Sequence, residues 1–149
     1  MRVVILGKGE NVYENFFTQI AKVYSGKCAT VIAYNQDLSR KIYSGADIFL
    51  MPSKSEPCGL SQMIASRYGT VPIVRETGGL NDSIKAYTGV KGNGFTFADY
   101  NAHDMHYVIN EAIRTYHDKN AWLDVQQRAM NTDFSWKLQA KEYEKLYDK

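Results

Sequence analysis

The sequence is poor in the features that mark several protein classes, and each gap narrows the field. Lys and Arg number 18 against 16 Asp and Glu, a net charge of +2 with both signs dispersed, so there is no basic stripe for nucleic acid. No apolar run approaches the ~20 residues of a membrane helix. Val3-Val4-Ile5-Leu6, directly after Met1-Arg2, is too short for the apolar region of a signal peptide. Only Cys28 and Cys58 are present, without a CxxC spacing or a neighbouring His, which excludes a disulfide scaffold and reads as a reduced pair in a cytosolic protein. His103, His106 and His117 have no acidic or Cys partners to complete a metal set and read as surface residues. No Ser-His-Asp or Cys-His arrangement is suggested, and Cys58 has no base beside it. Internal repeats and low-complexity tracts are lacking too.

What remains is a chain of 149 residues, 44% hydrophobic, enough for one packed domain or half of a two-domain protein. Short solid apolar runs at Arg2–Leu6, Ala29–Ala33, Ile48–Met51, Val71–Val74 and Phe95–Phe97 alternate with helical periodicities. Solid rather than alternating runs suit strands buried on both faces. Together with the strand–helix alternation they predict an α/β fold, a Rossmann-like open parallel sheet flanked by helices. The last third, from about 102 to 149, predicts helices only, and 1–149 reads as a single domain. Its stripe Met105, Val108, Ile109, Ala112, Ile113 and Tyr116 is amphipathic, and Trp122, Trp136, Tyr143 and Tyr147 are most simply packing residues.

Ligands of open parallel sheets bind outside the carboxyl ends of the strands. Four loops fall there: Gly7-Lys8-Gly9, Tyr34-Asn35, Pro52–Gly59 and Glu76–Gly79. They offer glycines, an aromatic ring, a carboxylate and helix N-termini, which is equipment for a nucleotide carrying a polar group. Gly7-Lys8-Gly9 has neither the GxGxxG nor the P-loop spacing. Glu56 stands where a strand hands over to a helix. Pro57 suits the first helical position, which leaves the amides of Cys58, Gly59 and Leu60 as free donors. Glu56 then either holds ligand hydroxyls or merely complements the helix dipole.

Several stretches resemble the bacterial glycogen and starch synthases. These are Tyr34, Ser44–Ser53, Glu56-Pro57-Cys58-Gly59-Leu60-Ser61-Gln62, Arg67–Pro72, Thr77-Gly78-Gly79-Leu80, Asp99–Ala102 and Asp133–Trp136. The likeness covers nearly the whole chain and implies most of the second domain of a GT-B glycosyltransferase. It also implies transfer of glucose from ADP-glucose to the non-reducing end of an α-1,4-glucan, with retention. Glu56 would be the catalytic acid side chain, holding the glucosyl hydroxyls beside an oxocarbenium-like transition state. Cys58, Gly59, Leu60 and Ser61 would bind the sugar and phosphate, Tyr34 would stack on adenine, and Thr77, Gly78 and Gly79 would border the donor pocket. No metal and no cofactor are implied, and the setting is cytoplasmic. The partners are ADP-glucose or ADP, the glucan and an amino-terminal domain of the same enzyme, with neither nucleic acid nor membrane.

This chain departs from the family in places. Ala33 and Gln36 replace a usual Gly and acid around Tyr34. The family's phosphate-binding Arg and Lys and its acceptor domain would lie upstream of Met1, and Lys54 does not replace that pair. The chain is therefore expected to be a fragment that binds ADP weakly and turns over nothing alone. The alternatives are a non-catalytic nucleotide- or glucan-binding module, and another sugar-nucleotide transferase or epimerase of like fold.

Overall fold

A computed structural model describes residues 1–147; the last two residues of the expected helical region lie outside the described residues. The chain divides into two compact units, Met1–Gly45 and Ala46–Lys149.

The first unit pairs β1 (Val3–Gly7) in parallel with β2 (Cys28–Ile32). The strands are joined through α1 (Asn11–Val23), and α2 (Gln36–Gly45) follows. α1 packs on β2, where the Thr30 hydroxyl donates to the Phe17 carbonyl at 3.1 Å. Asn35 caps α2 by accepting the Leu38 N–H at 2.9 Å. No residue of this unit is fully buried. β1 reads as a strand covered on both faces, yet Val3 and Val4 stay 41% and 51% exposed. One helix layer and one neighbouring strand cannot cover both faces of an apolar strand.

The second unit holds the core. β3 (Ile48–Met51), β4 (Val71–Arg75) and β5 (Phe95–Phe97) form a parallel sheet in that order. β4 is central, and Val71–Val74 are buried on both sides, which is what the solid apolar run predicts. On one face Val71 and Ile73 pack with Phe95, Phe97, Val108, Ala112, Trp122 and Val125. These come from β5, α5 (Ala102–His117) and α6 (Lys119–Asn131). On the other face Val74 packs with Leu80, Ile84, Met51 and Phe134. Each fully buried Val, Ile or Leu among them contributes roughly 1.5–3 kcal/mol. Both long helices have side-chain caps: Asn101 accepts from Asp104 N–H at 2.9 Å, and Asp118 accepts from Asn120 and Ala121 N–H at 3.1 and 3.2 Å. The crossover helix α3 (Ser61–Tyr68) and the short α4 (Gly78–Ser83) complete the sheet's surroundings. α7 (Trp136–Tyr147) buries none of its residues, with Trp136 79% exposed.

Candidate functional site

Two loops leave the carboxyl edge of the second unit's sheet side by side. One runs from β3 through Glu56 to α3; the other joins β4 to α4 through Thr77-Gly78-Gly79. Their main chains touch. The Gly79 N–H donates to the carbonyls of Glu56 at 3.1 Å and of Pro57 at 3.2 Å. Gly78 has φ +45°, and a Cβ there would stand 2.3 Å from the Glu56 carbonyl oxygen; one on Gly79 would stand 2.9 Å from that of Pro57. Only glycine permits this approach. The Gly-Gly pair is a packing requirement of the Glu56 loop itself.

The same contacts correct the helix boundary. With Pro57 as first helical residue, the carbonyls of Glu56, Pro57 and Gly59 would accept from residues four positions on. Instead the first two accept from Gly79, and Gly59 O accepts from the Gln62 side chain at 2.7 Å. The helix therefore begins at Ser61, with Leu60 before it and no side-chain cap. The N–H groups of Cys58, Gly59 and Leu60 have no acceptor among the described residues. Glu56 is half-buried and its carboxylate has no partner there. An unpaired carboxylate thus lies within a few residues of unpaired amides, able to accept from hydroxyls while the amides donate to anionic oxygens.

Gln62 reinforces the arrangement from beneath. It is 1% exposed, and its Nε2 also donates to Ser83 Oγ at 3.0 Å, which in turn donates to the Gly79 carbonyl at 2.7 Å. One buried amide so ties both loops together, although its Oε1 has no partner. Arg75, at the end of β4, donates to the carbonyls of Ser53, Lys54 and Ala98 at 2.9, 2.6 and 3.2 Å. Neither tie carries a role in the sequence reading. The available signal at position 75 is a charge set directly after a buried apolar strand. At Gln62 it is an amide in the first turn of a helix.

Of the expected site residues, Glu56, Cys58, Gly59, Leu60, Ser61, Thr77, Gly78 and Gly79 fall in these two loops and the adjoining helix starts. Cys58 and Leu60 are exposed, Gly59 is buried, and Ser61 and Thr77 are half-buried. Tyr34 belongs to the first unit, where it follows β2 with its ring 87% exposed. In that unit the Gly9 N–H is taken by the Glu14 carboxylate at 2.9 Å. A cleft of ≈ 890 Å³ opens in the second unit between Cys58, Leu60 and Gly79 on one side and Phe134, Trp136 and Tyr143 on the other. Glu56 does not line it, so the loop pair rather than the cleft defines the candidate site. Among the described residues no group of three His, Cys, Asp or Glu side chains could hold a metal, and no helix is long and apolar enough to cross a membrane.

The family profile of the glycosyl transferases group 1 matches residues 1–127. The chain belongs to the group 1 glycosyltransferases. Among group members, it is 50% identical to the glycogen synthase of Bacillus licheniformis over 151 residues, covering 100% of this chain and 31% of that protein. It is also 50% identical to the glycogen synthase of Geobacillus thermodenitrificans over 150 residues, covering 99% and 31%. The chain therefore spans 31% of the length of these curated relatives. The catalytic domain of starch synthase IV from Arabidopsis thaliana, solved with ADP and acarbose bound, superposes with a TM-score of 0.85 at 35% identity over 98% of this chain and 31% of that one. This glycosyltransferase chain accordingly has the architecture of a GT-B domain, parallel strands flanked by helices. Anabaena HepE in complex with UDP-glucose shares the fold, with a TM-score of 0.67 at 18% identity over 87% of the chain.

Proposed function

We propose that this chain supplies the donor side of a retaining glycogen or starch synthase, one that moves glucose from ADP-glucose to the non-reducing end of an α-1,4-glucan in the cytoplasm. The observation that carries the reading is the seating of the Glu56 loop on Gly78 and Gly79. It leaves a free carboxylate beside the free amides of Cys58, Gly59 and Leu60. The high identity to two glycogen synthases and the ADP-bound starch synthase relative support the same choice of donor.

In this reading Glu56 accepts hydroxyls of the donor glucose and stabilises positive charge as the bond from the anomeric carbon to the diphosphate stretches. The amides and Ser61 face the phosphate oxygens as negative charge gathers on the leaving group. Thr77, Gly78 and Gly79 wall the sugar, and Tyr34 stacks on the adenine. Donors fixed before the reaction need no reorganisation as charge develops, and one such donor is worth roughly 3–4 kcal/mol. The acceptor glucan and a further domain of the enzyme are the proposed partners. Arg75 supports the expectation that residues 1–149 turn over nothing alone. Its guanidinium is bound to three carbonyls and is not free to neutralise a diphosphate.

Calorimetry with ADP-glucose, ADP and UDP-glucose tests the proposal. The chain is expected to bind ADP weakly and ADP-glucose more tightly, and Glu56→Gln to abolish the difference while leaving ADP unchanged. Binding of maltooligosaccharide without any ADP signal would instead make the chain a glucan module. A preference for UDP-glucose would point to another sugar-nucleotide enzyme. Steady ADP release from ADP-glucose and glycogen by these residues alone would refute the expected inactivity.

A further inference from the structure

Arg75 ends the central strand β4, with Met51 of β3 paired to Val74 on one side and Phe97 of β5 paired to Arg75 on the other. Its side chain emerges at the carboxyl edge of the sheet and reaches both ways. Nε and Nη2 donate to the carbonyls of Ser53 and Lys54, and Nη1 donates to that of Ala98. The Tyr100 ring lies 5.6 Å from the guanidinium carbon and covers the fork. No carboxylate pairs with Arg75 among the described residues. A planar fork with N–H bonds on two edges can bridge carbonyls on opposite sides, whereas a lysine ammonium is a single point.

The ladder already fixes β4 to both neighbours without this side chain. What Arg75 adds is a hold on Ser53 and Lys54, the segment leading into Glu56. Among the described residues, Pro52–Ser55 has no hydrogen bond to another main-chain group outside the sheet ladder. We infer that Arg75 is a positioning residue for Glu56. It pulls the entry of the loop onto the sheet edge, so that the Glu56 main chain seats on Gly78 and Gly79 and the carboxylate it bears is held in a fixed place. This rests on the donor-binding reading of Glu56.

Two variants of the 149-residue chain test it. Arg75→Met keeps the aliphatic stem and removes the fork; Arg75→Lys keeps the charge. Amide exchange by NMR reads the brace without ligand. The Gly79 N–H, held by Glu56 and Pro57, should exchange about tenfold faster in Arg75→Met, while amides of α5 and α6 keep their rates. Calorimetry reads the consequence: the ratio of ADP-glucose to ADP affinity should fall about tenfold. ADP affinity itself should stay within about twofold, with Arg75→Lys recovering only part of the ratio. Unchanged exchange at Gly79 overturns the inference whatever the ligand does. So does faster exchange with an intact affinity ratio, and so does a parallel loss of both ligands, which marks a staple of the fold. A wild-type chain that binds ADP-glucose no better than ADP refutes the reading of Glu56 itself, before any Arg75 variant is made.

Discussion

The two units obey the same strand–helix grammar and end in different states. β1 and β4 are both solid apolar runs. Yet β4 is buried from Val71 to Val74, while β1 leaves Val3 and Val4 about half exposed. The difference lies in what covers each strand. β4 has a strand on each side, α5 and α6 against one face, and α4 with Phe134 against the other. In its own unit β1 has β2 alone as neighbour, and α1 packs on β2. A strand's apolar pattern states how much cover it requires; whether the cover is present depends on the rest of the chain.

The largest expected effect tests this contrast directly. Ile73→Ala removes a fully buried side chain from the second unit and should cost about 2–5 kcal/mol, read by denaturant unfolding through the fluorescence of the buried Trp122. Val4→Ala, at a half-exposed position, should cost under about 1 kcal/mol. Equal costs would break the contrast. Glycines sharpen it at the next level down. Gly26 and Gly78 both have positive φ, but a Cβ on Gly26 meets nothing within 4 Å, whereas one on Gly78 meets the Glu56 carbonyl. Gly26→Ala should cost only the backbone strain, about 1–2 kcal/mol. Gly78→Ala adds overpacking, for a total of about 2–4 kcal/mol, and should also weaken ADP-glucose binding. If both variants melt alike, the two loops are not in contact in solution.

Much of this was legible in the sequence because it depends on local pattern. The strand Ile48–Met51 has the boundaries its residues predict, and parallel pairing followed from solid runs alternating with helices. Glycines at 78 and 79 mark a close approach, but what approaches them is set by tertiary structure. That is why Pro57 misled: its fixed φ favours a helix start, and the Gly79 N–H and the Gln62 amide then take the carbonyls a helix would have used. Arg75 and Gln62 escaped notice for a related reason. Arg75 acts on main-chain carbonyls distant in sequence, which have no residue identity to read, and Gln62 joins the nearby Gly59 carbonyl to the distant Ser83 hydroxyl, a pairing that only the fold creates. Asn93 is another such case, donating to Ser83 O and Thr132 Oγ1 and accepting from Lys85 N–H.

Gln62→Leu measures how two opposed terms balance inside the second unit. The change strands the Gly59 carbonyl, a penalty of about 1–3 kcal/mol, but it also removes the unpartnered Oε1, whose burial costs a comparable amount. Near-neutral stability is expected, within about 1 kcal/mol. The effect should show instead as faster exchange at the Gly79 amide, because Ser83 loses its donor. A large loss of stability would mean that Oε1 has a partner in solution.

The smallest effect concerns two ion pairs, one in each unit. Arg40 and Asp37 meet at 3.3 Å with side chains 58% and 87% exposed, and Asp37→Asn should change stability by no more than about 0.5 kcal/mol. Asp124 accepts from Arg128 Nε at 2.8 Å and from the Tyr87 hydroxyl at 3.0 Å, fastening the segment after α4 to α6. The Arg128 bond, aided by Tyr87, holds the Asp124 carboxyl below its ordinary value of 3.8. A depressed folded-state value means that the carboxylate favours the fold at pH values above 3.8, and that this contribution is lost as pH falls through the lower folded value. The stability gap between wild type and Asp124→Asn should therefore be flat above about pH 5 and shrink steadily in more acid solution. Arg128→Met should abolish most of that pH dependence, since its bond is the larger cause. A gap that widens on acidification would reverse the sign and remove Asp124 as an anchor of the second unit.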